Sequence, residues 1–144
     1  MATTATALRT RLLTIDDAPA LAALSQRLGG EETARQWASF LARSSAIGIG
    51  AIADGGIVAY AAGEVRTGFG MPAPVAWVEE FGVDLEWRAH GVGWTLAQEL
   101  LRRFREAGAA HVYTVVPMHD RVLAPFFRQL GFRDELLACL GCSL

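Results

Sequence analysis

The sequence predicts an α+β fold: a mixed, mostly antiparallel sheet flanked by about four helices. Three observations point there. Strand-like and helix-like apolar runs follow the order β-α-α-β-β-β-α-β-α-β, whereas a doubly wound sheet would need stricter β/α alternation. Asp54-Gly55-Gly56 separates two apolar strand-like runs, which is a hairpin signal. Val92, Leu96, Leu100 and Phe104 recur at steps of four, the buried stripe of an amphipathic helix.

Each element has a local reason. Residues 1–7 lack both a basic segment and an apolar core, so they read as a frayed tail and not as a signal peptide. Residues 8–13 read as a strand. Thr14 or Asp16 can cap a helix that runs to about Leu28 with Pro19 in its first turn, and Gly29-Gly30 ends it. Residues 31–42 read as a second helix carrying Trp37, Phe40 and Leu41; Trp37 and Phe40 pack in the core or line a ligand pocket. Residues 47–53 and 57–65 are the two hairpin strands. Residues 67–74, with two glycines and two prolines, form a loop, and residues 76–85 form the next strand. The helix over residues 91–107 gathers Arg102, Arg103 and Arg105 near its C-terminal end, where the dipole favours cations, and Gly108 stops it. Residues 111–116 form a strand that Pro117 terminates. Residues 121–130 form a helix with Leu123, Phe126, Phe127 and Leu130 on one face and Gly131 as its C-cap. Residues 136–144 complete the sheet as a final strand. Cys139 and Cys142 lie in that strand, three residues apart and so on opposite faces, which makes them buried or edge thiols and not a shared ligand pair.

The whole chain of 144 residues reads as one domain. Apolar residues are 52% and charged residues 19%, which excludes a disordered chain. A net charge of -2 gives no general attraction to nucleic acid or to an anionic membrane surface. No apolar run approaches the ~20 residues of a membrane helix. Free thiols fit a reducing cytoplasm. His90, His111 and His119 show no metal-ligand spacing, and no metal is expected.

The most informative segment is Arg88-Ala89-His90-Gly91-Val92-Gly93, between a strand and a helix. The first N–H groups of a helix have no partner within it, and the helix dipole adds partial positive charge at that end. Glycine at positions 91 and 93 lets a ligand approach the backbone, so the turn is suited to hold phosphate.

With these flanks, the segment resembles the Arg/Gln-x-x-Gly-x-Gly/Ala hallmark of the GNAT superfamily of acetyl-CoA-dependent N-acetyltransferases. Ala124-Pro125-Phe126-Phe127-Arg128-Gln129-Leu130-Gly131-Phe132 is similar to the family's helix that runs into a Gly-Phe pair, and the opening strand and helix match more weakly. The resemblance implies a GNAT-like domain that transfers an acetyl group from acetyl-CoA, used as co-substrate, to a primary amine of a small molecule or peptide. A non-catalytic acyl-CoA-binding domain of the same fold is the alternative. It implies that backbone amides from Ala89 through His90, Gly91, Val92 and Gly93 to Trp94 hold the pyrophosphate. Arg88 acts through its side chain or shapes the loop. It also implies that Phe81, Gly82 and Val83 pair with pantetheine; Gly82 marks a bulge or close approach, or is a packing glycine.

Attack on a thioester needs an unprotonated amine, so a carboxylate that takes or relays the proton is useful. Glu79 and Glu80 precede the pantetheine segment and alternate faces; Glu79 matches the acidic position of several small-amine acetyltransferases and is favoured over Glu80. Where many members carry a tyrosine to protonate the thiolate, this chain has Phe127, and the usual asparagine is Asp120. His119, Tyr113 or water could supply that proton. Edge strands near the C-terminus make a homodimer possible.

Overall fold

The computed structural model describes residues 7–67 and 73–144. The tail expected over residues 1–7 and the loop expected over 67–74 lie mostly outside the described residues. Strands β1 (Arg9–Leu12), β2 (Ala46–Ala53), β3 (Gly56–Arg66), β4 (Val75–Val83) and β5 (His111–Thr114) form a five-stranded sheet in that order. All neighbours are antiparallel except β4 and β5, which are parallel. Helices α1 (Ala18–Arg27) and α2 (Ala34–Leu41) precede β2, α3 (Val92–Glu106) connects β4 to β5, and α4 (Leu123–Gln129) follows β5. The parallel pair is what makes the sheet mixed, because only a crossover such as α3 can join two parallel neighbours.

Two cores lie on opposite faces of the sheet. On one face α3 presents Val92, Leu96, Leu100 and Phe104, none more than 2% exposed, to Ile49, Ala61, Ala76 and Val78. Burial of each such side chain contributes about 1.5–3 kcal/mol. On the other face Leu21 and Leu24 of α1 and Trp37 of α2 pack on Tyr60 and Ala62 of β3. Trp37 is 2% exposed with its ring 5.1 Å from that of Tyr60, so it is a core residue and does not line a pocket.

Two expectations are corrected. The second helix begins at Ala34 instead of residue 31, because Thr33 caps it: the Thr33 hydroxyl accepts from Gln36 N, and the Gln36 side chain accepts from Thr33 N. The final strand over residues 136–144 does not form. A strand exists only where neighbouring backbone pairs with it, and none lies beside this segment among the described residues. Cys139 and Cys142 are therefore free and exposed, neither buried nor on a sheet edge.

Candidate active site

The site begins where two strands part. β4 and β5 pair only from Val75 with His111 to Val78 with Thr114. At that last rung the Thr114 hydroxyl donates to Val78 O at 3.1 Å. Beyond it β5 ends while β4 continues to Val83, so the β4 edge from Glu79 onward has no strand beside it among the described residues. A cleft of about 160 Å³ opens in the fork, lined by Glu79, Glu80 and Phe81, by Thr114 to Val116, and by Leu123 and Phe127 of α4.

A β-bulge decides which glutamate faces where. Ala62 of β3 pairs with Glu80 and Gly63 pairs with Val78, so Glu79 is the extra residue. Ahead of the bulge Ala76 and Val78 face α3; after it Phe81 and Val83 do. Alternation has shifted by one. Glu79 is exposed and ion-paired with Arg66. Glu80 is half-buried on the side of Tyr60 and Ala62. Burial, reinforced by the like charges of Glu32 and Glu79, pushes its carboxyl up to about 7. Glu32 is itself held in the loop between α1 and α2 by a hydrogen bond from the buried Ser25 hydroxyl. Tyr60, 3% exposed, lies under this acidic group, and burial raises its phenol above the ordinary value.

Gly82 has a packing reason. A Cβ there would come within 2.8 Å of the Tyr60 ring and of Leu28. Its partner across the ladder is Tyr60, whose ring occupies the space a side chain would take.

The turn after β4 is built from strained backbone. Ala89 and Gly91 take φ of +64° and +74°. At Ala89 the left-handed conformation costs about 1–2 kcal/mol, because its Cβ crowds the following carbonyl. Arg88 Nε donates to Val83 O at 3.2 Å, and His90 Nδ1 donates to Arg88 O at 2.8 Å. These bonds fix the loop while leaving its amides free. Among the described residues, none of the backbone N–H groups from Ala89 to Trp94 has an acceptor within the chain. Val92 is buried and Gly93 rests on Phe81 and Val83, so this end of α3 is seated on β4 beside the open edge. A Cβ on Gly91 would meet no atom within 4 Å, so it would point into open space.

The remaining sequence-predicted residues divide. Phe127 is 5% exposed, lines the cleft, and packs 6.0 Å from Phe81 and 5.1 Å from Phe132, ring to ring. Asp120 Oδ1 accepts from Val122 N and Leu123 N, both at 2.9 Å, so it holds the turn that leads into α4, and those bonds hold its carboxyl below the ordinary range. His119 is exposed and does not line the cleft. Tyr113 stacks 5.0 Å from Trp77, also outside the cleft. Sequence reasoning missed Thr114 at the fork, and Tyr60 and Glu32 beside Glu80. Only Thr114 left a signal, as a polar residue in an apolar strand.

The acetyltransferase (GNAT) family model matches residues 13–132, most of the chain and the whole of the site just described. The chain belongs to the GNAT acetyltransferase family. No curated protein sequence matches it closely enough to be counted as a relative. This GNAT domain superposes on the aminoglycoside N-acetyltransferase AAC(6')-Iy in complex with CoA with a TM-score of 0.84 at 15% identity, covering 99% of each chain. For the aminoglycoside acetyltransferase meta-AAC0020 from an uncultured soil metagenomic sample, in complex with sisomicin, the TM-score is 0.81 at 18% identity, over 95% of this chain and 96% of that one. For the ribosomal-protein-alanine N-acetyltransferase of Brucella melitensis biovar Abortus 2308 it is 0.80 at 17%, over 95% and 99%. At such identities the likeness establishes the GNAT fold. Among the described residues no helix is long and apolar enough to cross a membrane.

Proposed function

We propose that this GNAT protein is an N-acetyltransferase that moves the acetyl group of acetyl-CoA to a primary amine by direct attack. The observation that carries the reading is the run of unpartnered amides from Ala89 to Trp94, set at the end of the open β4 edge. Pyrophosphate fits the amides, and an extended chain with alternating amide groups, such as pantetheine, fits the edge at Phe81, Gly82 and Val83. Arg88 serves here by holding the loop to Val83 O. The acetyl end would then lie in the fork, between Glu80 and Phe127, which line the same cleft.

Glu80 is the proton acceptor in this reading, in place of Glu79. Its carboxyl, raised to about 7, is matched to neutral pH, whereas Glu79 is committed to Arg66. The substrate ammonium gives a proton to the Glu80 carboxylate, directly or through water. The free amine attacks the thioester carbonyl, the new C–N bond forms and the C–S bond breaks. CoA leaves as thiolate and receives, through water, the proton that the attacking nitrogen loses as the amide forms; a thiol pKa near ~8.5 makes that leaving group tolerable. Glu32, Glu79 and Glu80 together favour a cationic acceptor, a small-molecule amine or a peptide amine. Acetyl-CoA as co-substrate is consistent with a cytoplasmic enzyme. Thiol release from acetyl-CoA should appear with at least one member of a broad panel of polyamines, amino sugars and peptide N-termini. Tight CoA binding with no thiol release from any of them would favour the non-catalytic acyl-CoA-binding alternative, which Phe127 in place of tyrosine also suggests.

Phe127→Tyr tests the leaving-group step. The added hydroxyl enters the cleft, and kcat is expected to hold or rise by no more than a few-fold, with Tm near that of the parent. A fall in Tm would mean that the hydroxyl is buried without a partner, a cost of about 1–3 kcal/mol. A large loss of activity at unchanged Tm and CoA affinity would show that Phe127 does not sit beside the thioester.

A further inference from the structure

We infer that Ser25 and Glu32 are positioning residues for the acetyl transfer proposed above: the Ser25 hydroxyl fixes the Glu32 carboxylate beside Glu80, and Glu32 makes Glu80 the stronger proton acceptor. The inference rests on Glu80 being that acceptor. Ser25 is 1% exposed, the one buried residue with an aliphatic hydroxyl, amide or charge among the described residues. Alanine would serve the packing of α1 at that place, as it does at Ala18 and Ala22, both buried in the same helix. A hydroxyl taken out of water needs a partner, and Ser25 donates to a Glu32 carboxylate oxygen. The loop is shaped around that bond. Gly30 N donates to Ser25 O at 2.9 Å, and a Cβ on Gly30 would collide with both Ser25 Oγ and the Glu32 carboxylate. The next residue, Thr33, caps α2, so the backbone of Glu32 is fixed from both sides.

The same end of α1 reaches β4. A Cβ on Gly82 would come within 2.8 Å of Leu28 Cδ1 and of the Tyr60 hydroxyl, so both lie over Gly82. Glu80 is two residues earlier on that face, across the ladder from Ala62 and diagonal to Tyr60. Besides its burial, the Tyr60 phenol is influenced by Ser25, Glu80 and Glu32, which places the four groups in one cluster. The ionisable groups that face Glu80 are Glu32 from the loop, Tyr60 from β3 and Glu79 from its own strand. The arginines nearby in sequence are committed elsewhere, Arg66 to Glu64 and Glu79, and Arg27 to Asp84. Among the described residues Glu80 accepts no hydrogen bond, whereas Glu32 is occupied by Ser25, so Glu80 is the carboxylate free to take the substrate's proton. A fixed negative charge beside it favours its protonated form and so increases its pull on that proton.

Two variants separate the charge from its anchor. Glu32→Gln removes the charge and keeps an acceptor for Ser25; Ser25→Ala keeps the charge and releases it. Carboxyl carbon NMR of Glu80 across pH is expected to show its midpoint lowered by at least about half a unit in Glu32→Gln, and by a smaller amount in Ser25→Ala. The acidic limb of kcat/KM should move to lower pH in step, while the plateau at higher pH falls because Glu80 is a weaker base. Damage to the fold would lower the plateau without moving the limb. Circular dichroism and CoA affinity should match the parent in both variants. A Glu80 midpoint that stays in place in either variant overturns the inference. The titration needs no turnover. An unmoved midpoint with acetyl transfer intact would refute the role of Ser25 and Glu32 alone; a shifted midpoint in a chain that acetylates no amine would support the coupling and refute the proposed chemistry.

Discussion

Glu80→Gln is expected to lower kcat/KM for the amine by about 10²–10⁴-fold while CoA affinity changes little, the range of a lost general base. The parent should lose activity as pH falls through about 7, where Glu80 takes up its proton, and the variant should lose that acidic limb. Stability should move the other way. Folding raises the Glu80 carboxyl from its ordinary 4.5 to about 7, so between those values the native state holds a proton that the unfolded state has released. Native stability from this group is complete below 4.5, falls as pH rises through the window, and is flat above it. Discounted because the side chain is half exposed, the loss is about 1–2 kcal/mol. The glutamine variant should therefore be more stable than the parent at about pH 8 and nearly equal at about pH 4. A variant that is slower yet melts higher at alkaline pH is hard to explain by damage to the fold. Glu79→Gln, which breaks the exposed pair with Arg66 and removes the smallest of the effects that raise Glu80, should cost far less activity. If the two glutamates rank the other way, Glu80 is a half-buried spectator.

Gly91→Asp should weaken CoA binding by roughly 10–100-fold, the loss of about one charge-assisted contact at about 1.5–3 kcal/mol. Two effects combine. The side chain must adopt φ near +74°, where only glycine is at ease, and its carboxylate points into the open space in front of the free amides. Gly91→Ala imposes the backbone strain without the charge. Its CoA affinity should fall between parent and aspartate, and titration calorimetry on the three proteins separates the contributions. Equal affinities in all three would move the pyrophosphate elsewhere.

The fold was legible where the local signal and the tertiary one agree. The stripe Val92, Leu96, Leu100 and Phe104 announces α3, and it is buried as a stripe. Asp54 and Gly55 take the positive φ that their hairpin turn requires. The turn at residues 88–93 was equally legible as a strand-to-helix turn, because its left-handed position calls for glycine and Gly91 takes φ of +74°. The choice between Glu79 and Glu80 was not. Strict alternation from Val78 would turn Glu79 to the side of Tyr60, but the bulge at Glu79 shifts the pleat, and a bulge without glycine leaves no mark in a sequence. The environment that tunes Glu80 was hidden for another reason. Glu32 and Tyr60 reach it from a distant loop and a neighbouring strand, through pairings that no single segment reveals. The C-terminal segment has the strand period its sequence suggests, but period alone could not say that its own chain offers no neighbour.

If the open β4 edge and the free amides form one CoA site, pantetheine and pyrophosphate are held together. Calorimetry with CoA and with an ADP-like nucleotide lacking pantetheine distinguishes the two halves of that site. CoA is expected to bind at least about tenfold tighter than the nucleotide, a difference of about 1.4 kcal/mol, and Gly91→Asp should weaken both. Equal affinity for the two ligands would refute a joint site, since the fork between β4 and β5 would then hold nothing.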